Sequence, residues 1–244
     1  MGLLITFILG LFIIIGCLIV KYVNEKELVE KLSISIALGT MSTLIVLELV
    51  PEMLEHLEKT NIGFIIIYIL LGITILKLLD LFVPEHDHEH STHHHCTEEN
   101  VIHIGIISLI AIVLHNVIEG MAVYSIAEES IKTSILIGLG VGLHNIPMGM
   151  VISSTLKNEP RNKRLLAILL ASISTFIGGI IMYLISSLIT ETLIGILISI
   201  TLGMILYIVL FELIPHIIHE EDKKTSIIGI IIGIIIIIIS TMFE

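Results

Sequence analysis

The sequence predicts an all-α membrane protein, and three observations support this prediction. The 244 residues are 55% hydrophobic and only 14% charged, a balance typical of multi-pass membrane proteins and not of soluble domains. Eight apolar windows each have the about 20 residues that a membrane-spanning helix needs. The connections between them are short, which favours antiparallel packing of successive helices. We therefore expect one polytopic domain over residues 1–244, embedded in the lipid bilayer of the cell membrane.

The predicted spans cover residues 2–20, 32–55, 62–83, 101–126, 133–156, 165–189, 193–218 and 226–243. The first lacks the basic start and small-residue cleavage site of a signal peptide, so we expect it to remain as a helix. Ten Lys and Arg residues lie on one side of this arrangement, against only Lys59 and Lys132 on the other. The positive-inside rule then places both termini outside the cytoplasm.

Composition also excludes several classes of function. A net charge of −11 does not suit a nucleic-acid partner. The two cysteines, Cys17 and Cys96, are too few for a disulfide framework. No nucleotide-binding motif is present, and no cofactor is expected. Whether the chain forms a homodimer is left open by the sequence.

A polar hexapeptide, HNVIEG at positions 115–120, lies at the middle of the fourth span. On a helix His115 and Glu119 share one face, four residues apart, with Asn116 beside them. A charged side chain at this depth costs about 2.5–3.5 kcal/mol on insertion scales. The motif is therefore expected to face protein and not lipid.

A second hexapeptide, HNIPMG at positions 144–149, lies at the middle of the fifth span. His144 and Met148 are four residues apart, with Asn145 beside them. Imidazole, carboxylate, amide and thioether groups that converge from two helices suit a borderline transition metal such as zinc. A buried His–Glu pair that joins two helices without metal is the alternative.

The paired hexapeptides resemble the fourth- and fifth-helix motifs of the ZIP family of divalent-metal transporters. The His-Asn-x-x-Glu-Gly form of the first is similar to the prokaryotic branch of that family, and the eight spans fit the family's plan. The second motif keeps the His, Asn and Pro, but Met148 stands where most members have a glutamate.

The resemblance implies a central metal site in which His115, Glu119 and His144 are ligands and Met148 is the candidate fourth ligand. Asn116 and Asn145 match positions that line an adjacent second site in the family. That second site is expected to be impaired, because Met148 replaces its bridging acid. The sixth span offers only hydroxyl groups near this depth, from Ser172, Ser174 and Thr175.

The second and seventh spans share a Glu-x-x-Pro pattern, Glu48 to Pro51 and Glu212 to Pro215. Because these spans cross the membrane in opposite directions, the pattern indicates a 3+2+3 arrangement with an inverted repeat of spans 1–3 and 6–8. The alternative is that the pattern simply recurs where helices end.

Polar residues near the two mouths are candidates for the metal's path. Glu48 and Glu52 are candidate ligands at an entrance, and His216, His219 and Glu220 are candidates at an exit. A solvated helix end is the alternative for each.

Residues 84–100 form a His-rich loop on the predicted cytosolic side. Six histidines occur within ten residues, His86, His88, His90, His93, His94 and His95. This composition does not form a packed core but binds metal ions weakly. The ZIP family commonly has a His-rich loop in the same connection, which implies a role in metal delivery or sensing.

Together these features predict transport of divalent metal, most of all Zn²⁺, into the cytoplasm by alternating access. One carboxylate and two neutral imidazoles leave a divalent ion with a charge of +1, which favours zinc or cadmium over manganese or magnesium. Iron stays a candidate. Two other classes remain open: an intramembrane zinc hydrolase, although the sequence lacks His-Glu-x-x-His, and a membrane metal sensor without flux. Neither catalytic residues nor enzyme activity are predicted.

Overall fold

The computed structural model describes residues 1–22, 26–58, 60–81, 98–186 and 190–242, and within these ranges its regular structure is helical. In these ranges eight helices are long and apolar enough to cross a membrane, which confirms the predicted all-α membrane class. They are α1 Gly2–Tyr22, α2 Glu27–His56, α3 Ile62–Asp80, α4 Val101–Glu128, α5 Ile131–Thr155, α6 Arg161–Ile185, α7 Thr192–His219 and α8 Lys223–Ser240.

The helices begin and end within five residues of the predicted spans, and the largest difference is at the start of α2. Helix α2 begins at Glu27, five residues before the predicted start at residue 32. The added turn is charged, and Lys31 Nζ lies 3.3 Å from Glu27 Oε1 one helical turn away. The helix that contains α4 begins at Glu98. The six loop histidines lie outside the described residues.

Helices α2 and α7 each contain one wide π-helical turn, at Ile45–Leu49 and Ile208–Leu213. Each turn directly precedes a proline at the start of the next helical turn, Pro51 or Pro215. A proline lacks a backbone N–H, and its ring crowds the carbonyl four residues before it. The wide turn relieves this crowding, so the two Glu-x-x-Pro segments have the same local structure.

Four helix pairs pack most closely, namely α2 with α8, α3 with α7, α1 with α5 and α4 with α6. In each pair a glycine of either helix lies against a backbone carbonyl of the other. The glycine pairs are Gly39 with Gly233, Gly72 with Gly203, Gly16 with Gly149 and Gly120 with Gly178. A Cβ at Gly120 would overlap the Thr175 carbonyl oxygen, and one at Gly178 would overlap that of Val117. Small residues at these positions allow the backbones to touch.

The close pairs assemble into two groups of four helices. The first group is α1, α4, α5 and α6, and the second is α2, α3, α7 and α8. The groups meet mainly where α5 packs against α2 and α8 and where α4 packs against α7. Both hexapeptides are in the first group, and both π-helical turns are in the second.

Candidate metal site

The two hexapeptides face each other, as their polar character predicts. His115, Glu119 and His144 each offer one ligand atom, and these atoms all lie within 4.8 Å of one another. The three residues, called here the central cluster, are 3%, 8% and 0% exposed. Helices α4 and α5 are unbroken at this depth, even at Pro147, so the side chains extend from a rigid backbone.

The Glu119 carboxylate lies between the two imidazoles. Its Oε1 is 2.6 Å from His144 Nε2 and 3.6 Å from His115 Nε2, and the two ring centroids are 6.0 Å apart. Ligand atoms around a tetrahedral zinc ion, with bonds of about 2.1 Å, are about 3.4 Å apart. Shifts of less than about 1 Å would therefore turn this arrangement into a set of three zinc ligands.

Asn116 and Asn145 lie beside the cluster and are both fully buried. Asn116 donates a long hydrogen bond of 3.4 Å from Nδ2 to the Ala171 carbonyl. Its Oδ1 and both amide atoms of Asn145 have no hydrogen-bond partner among the described residues. A buried amide without partners is costly, so this location suits a polar or ionic ligand.

Met148 lies in a more apolar environment than the three residues of the central cluster. It is 1% exposed and belongs to the main apolar core cluster, together with Val151 and Ile152. The structure therefore shows Met148 as part of the apolar core, and a ligand role for Met148 stays a prediction.

The hydroxyl groups of α6 are mostly satisfied within their own helix. Ser172 donates to the Ile168 carbonyl and Ser174 donates to that of Ala171. Thr175 is fully buried, and its Oγ1 has no hydrogen-bond partner in the described part of the chain.

A cavity of about 70 Å³ adjoins the central cluster. It is lined by His115 and Glu119 and extends along apolar walls toward the end of the molecule where α4 ends and α5 begins. The entrance candidates Glu48 and Glu52 line the same cavity. Glu48 lies deeper in the molecule than a residue at the entrance would. Its Oε2 is 3.9 Å from Nδ1 of His144, a residue of the central cluster.

The exit candidates lie at the opposite end of the molecule. His219 Nδ1 lies 2.7 Å from the Pro215 carbonyl of its own helix, and His216 is half-buried. Glu220 Oε1 lies 3.0 Å from Lys31 Nζ of α2. Burial raises the pKa of the Glu220 carboxyl, but the hydrogen bond and charge of Lys31 outweigh this effect, so the pKa is below its ordinary value.

The structure brings together a second group of ligand-type side chains that the sequence reasoning missed. Asp80 of α3, His103 of α4 and Glu212 of α7 also offer ligand atoms within 4.8 Å of one another; they are called the second cluster. His103 Nε2 lies 2.6 Å from Asp80 Oδ1, and the Tyr207 hydroxyl donates to Asp80 Oδ2 at 2.7 Å. All three cluster residues are half-buried. The sequence contains one signal for this cluster. Its three titratable residues lie at a similar predicted depth in the membrane, each in a different span.

Comparison with known proteins agrees with this architecture. A family model described as ZIP zinc transporter matches residues 83–241, which is more than half of the chain and includes both hexapeptides. A search of curated proteins found no match.

Proposed function

The chain belongs to the ZIP family of metal transporters, and from this premise we propose that it moves zinc into the cytoplasm through the central cluster. Transport of divalent metal and a multi-pass location in the membrane follow from the family and from the eight spans. The metal, the site and the mechanism are the parts proposed here.

The observation that supports the site most directly is the convergence of three buried ligand side chains within 4.8 Å. Two imidazole nitrogens and one carboxylate oxygen form a donor set that suits zinc. A set rich in nitrogen favours zinc and cadmium over magnesium and manganese, and it leaves iron(II) as a competing ion. The buried amides of Asn116 and Asn145 add polar groups beside the ion, and Met148 stays the candidate fourth ligand.

Alternating access is supported by how the helices are grouped. The backbone contacts at glycines lie inside each four-helix group, whereas the central cluster and its cavity lie where the groups meet. We infer that one group moves against the other and exposes the site to each side in turn. No nucleotide-binding motif is present in the sequence, so the metal gradient, the membrane potential or cytosolic chelation would drive net uptake.

An inverted repeat is supported by the symmetry of the helix pairing. Suppose that α1 is exchanged with α6, α2 with α7, α3 with α8, and α4 with α5. The same four close helix pairs then result. The matched π-helical turns before Pro51 and Pro215 follow the same exchange. Equivalent polar groups would therefore lie at opposite mouths, as two-sided access requires.

The proposed path begins at Glu48 and Glu52, passes the central cluster and leaves by way of the second cluster and His216, His219 and Glu220. This direction depends on both termini lying outside the cytoplasm. Single cysteines at Thr60 and Thr92, in a variant without Cys17 and Cys96, should react with impermeant reagents from opposite sides of the membrane. Labelling from the same side would contradict the orientation.

Zinc accumulation in proteoliposomes tests the function. Glu119→Gln keeps the side-chain shape but removes the only charge of the central cluster, so we expect uptake to be lost. Glu128→Gln removes an exposed charge from the outer end of the same helix and should leave uptake near the native rate. Native uptake by a folded Glu119→Gln protein would rule out this site.

The same assay separates transport from the two other classes. A hydrolase or a sensor with this cluster would bind zinc, yet vesicles that contain it would not accumulate the ion. Binding without accumulation would therefore contradict the proposal even if every ligand were assigned correctly.

A further inference from the structure

The Nδ1 atom of His144 has no role in the proposed ligand set, although the ring is completely buried. His144 is 0% exposed, and its Nε2 faces Glu119 at 2.6 Å. Its Nδ1 has no hydrogen-bond partner among the described residues. The carboxylate of Glu48 is 3.9 Å from this nitrogen. Each ring nitrogen of His144 therefore faces a different carboxylate.

We propose that Glu48 is a positioning residue for the metal site: it accepts a hydrogen bond from Nδ1–H of His144 and so directs Nε2 toward the metal. This inference rests on the proposed function. A neutral imidazole has one N–H and one lone pair, so a proton held at Nδ1 leaves the lone pair of Nε2 for the ion. Metal-binding histidines commonly donate their other N–H to a carboxylate in this way.

The remaining gap is small. A hydrogen bond between nitrogen and oxygen spans about 2.7–3.2 Å, so the Glu48 oxygen must approach Nδ1 by about 1 Å. Glu48 has a flexible side chain and lines the cavity, and it lies in the π-helical turn Ile45–Leu49 of α2. Its side chain is only 15% exposed, which is deeper than an entrance residue needs to be.

Charge gives Glu48 a second effect on the same site. With Glu119 alone, a bound divalent ion keeps a charge of +1, which is unfavourable in a buried location. Glu48 lies on the far side of His144 and brings the sum to zero. The carboxylate that is absent at position 148 is thereby replaced from α2, outside the hexapeptides.

The contact also crosses between the two helix groups, since Glu48 is in the second group and His144 is in the first. Relative movement of the groups would lengthen it. The His144 ring would then be positioned less firmly in one of the two states of alternating access. Zinc would bind more weakly in that state, which would assist its release.

Zinc affinity of the full-length protein in detergent tests the inference, measured by competition with a chromogenic chelator. All variants carry serine at the six loop histidines, so that the tightest ion reports on the membrane site. We expect Glu48→Leu to weaken zinc binding by about 10- to 100-fold. Glu48→Gln, which keeps an acceptor oxygen but loses the charge, should have a smaller effect. Glu55→Gln removes an exposed charge from the same helix and should change nothing.

A double-mutant cycle distinguishes positioning from simple attraction of cations. If Glu48 acts mainly through His144, then Glu48→Gln and Glu48→Leu should each weaken zinc binding much less in a His144→Ala background than in the native background, where only the effect of the lost charge remains. Equal effects in both backgrounds would overturn the inference, as would native affinity in Glu48→Leu. If Glu48→Leu does not fold, the nearly isosteric Glu48→Gln in the same cycle decides.

The failure of this inference is distinguishable from failure of the proposed site. A protein that loses zinc affinity with Glu119→Gln but not with Glu48→Leu has the central site and no positioning role for Glu48. A protein that keeps its affinity in both variants lacks the central site itself.

Discussion

The central cluster and the second cluster contain the same ligand types but differ in burial and in what surrounds each acid. In the central cluster Glu119 lies between two histidines, and all three residues are at most 8% exposed. In the second cluster Asp80 already has a close partner on each oxygen, His103 on one and the Tyr207 hydroxyl on the other. The side chains of His103 and Asp80 are 16% and 19% exposed.

This difference indicates how two similar sets of side chains can hold a metal with different strength. A carboxylate that accepts a hydrogen bond from tyrosine is partly satisfied without an ion, so an ion must displace that bond. In the described part of the chain the close polar neighbours of the Glu119 carboxylate are two imidazoles, which are themselves metal-ligand groups, so an ion need displace no hydroxyl donor there. We therefore expect tight binding at the central cluster and weak, transient binding at the second cluster.

The largest expected effect comes from removing one imidazole from each cluster. His144→Ala should lower the affinity for the first zinc ion by about 100-fold or more, as loss of one partner in a buried charged set implies. His103→Ala should leave that affinity within about threefold, because it acts on the other cluster. Isothermal titration of the two variants in detergent checks this. Equal losses would show that the clusters are not separate sites.

A smaller effect is expected from a new carboxylate at the central cluster. Met148→Glu would add an acid next to His144 and the two asparagines. The manganese concentration that halves zinc uptake should therefore fall about tenfold. Met148→Gln, which is polar but uncharged, is the matched control. An unchanged metal preference would leave Met148 as a packing residue, which is consistent with its place in the apolar core.

Tyr207→Phe tests the explanation given for the second cluster. Without the hydroxyl, Asp80 loses a competing donor, and a second zinc ion should bind about two- to tenfold more tightly, the range expected for one net hydrogen bond. Tyr183→Phe, an exposed hydroxyl on α6, is the control. Weaker binding in Tyr207→Phe would show that the phenol is itself a ligand.

The smallest effect concerns the ion pair between Lys31 and Glu220, at the same end of the molecule as the second cluster. Because the pKa of Glu220 is lowered in the folded protein, the pair stabilises the fold above the unfolded-state pKa of about 4.3. That stabilisation is lost as the pH falls through the lower folded pKa. Glu220→Gln should melt slightly earlier than the native protein at pH 7, and this difference should shrink as the pH is lowered through the acidic range. A difference that does not shrink on acidification would contradict the ion-pair explanation.

The central cluster was predictable because its geometry is mostly local. A spacing of four residues places His115 and Glu119 on one helix face, and the cost of burying charge in lipid requires that face to meet α5. The second cluster was not predictable in this way. Asp80, His103 and Glu212 come from three helices, and no local spacing relates them.

The π-helical turns show a different limit of sequence reasoning. Pro51 and Pro215 indicated disturbed helices, but they did not indicate that the turn before each proline would widen. Glu48 lies in such a turn, and its approach to His144 depends on how α2 packs against α5. Sequence alone therefore placed Glu48 at the entrance, whereas the structure places it beside the central cluster.

The paired glycines have a consequence for how this sequence can evolve. At Gly120 and Gly178 each Cα faces a backbone carbonyl of the other helix, and a carbonyl is present whatever the residue. A larger side chain at one position cannot be offset by a smaller one at its partner, because the partner is already glycine. Double substitutions at such pairs should show no mutual rescue, so each glycine is constrained independently while the lipid-facing positions around it are free to vary.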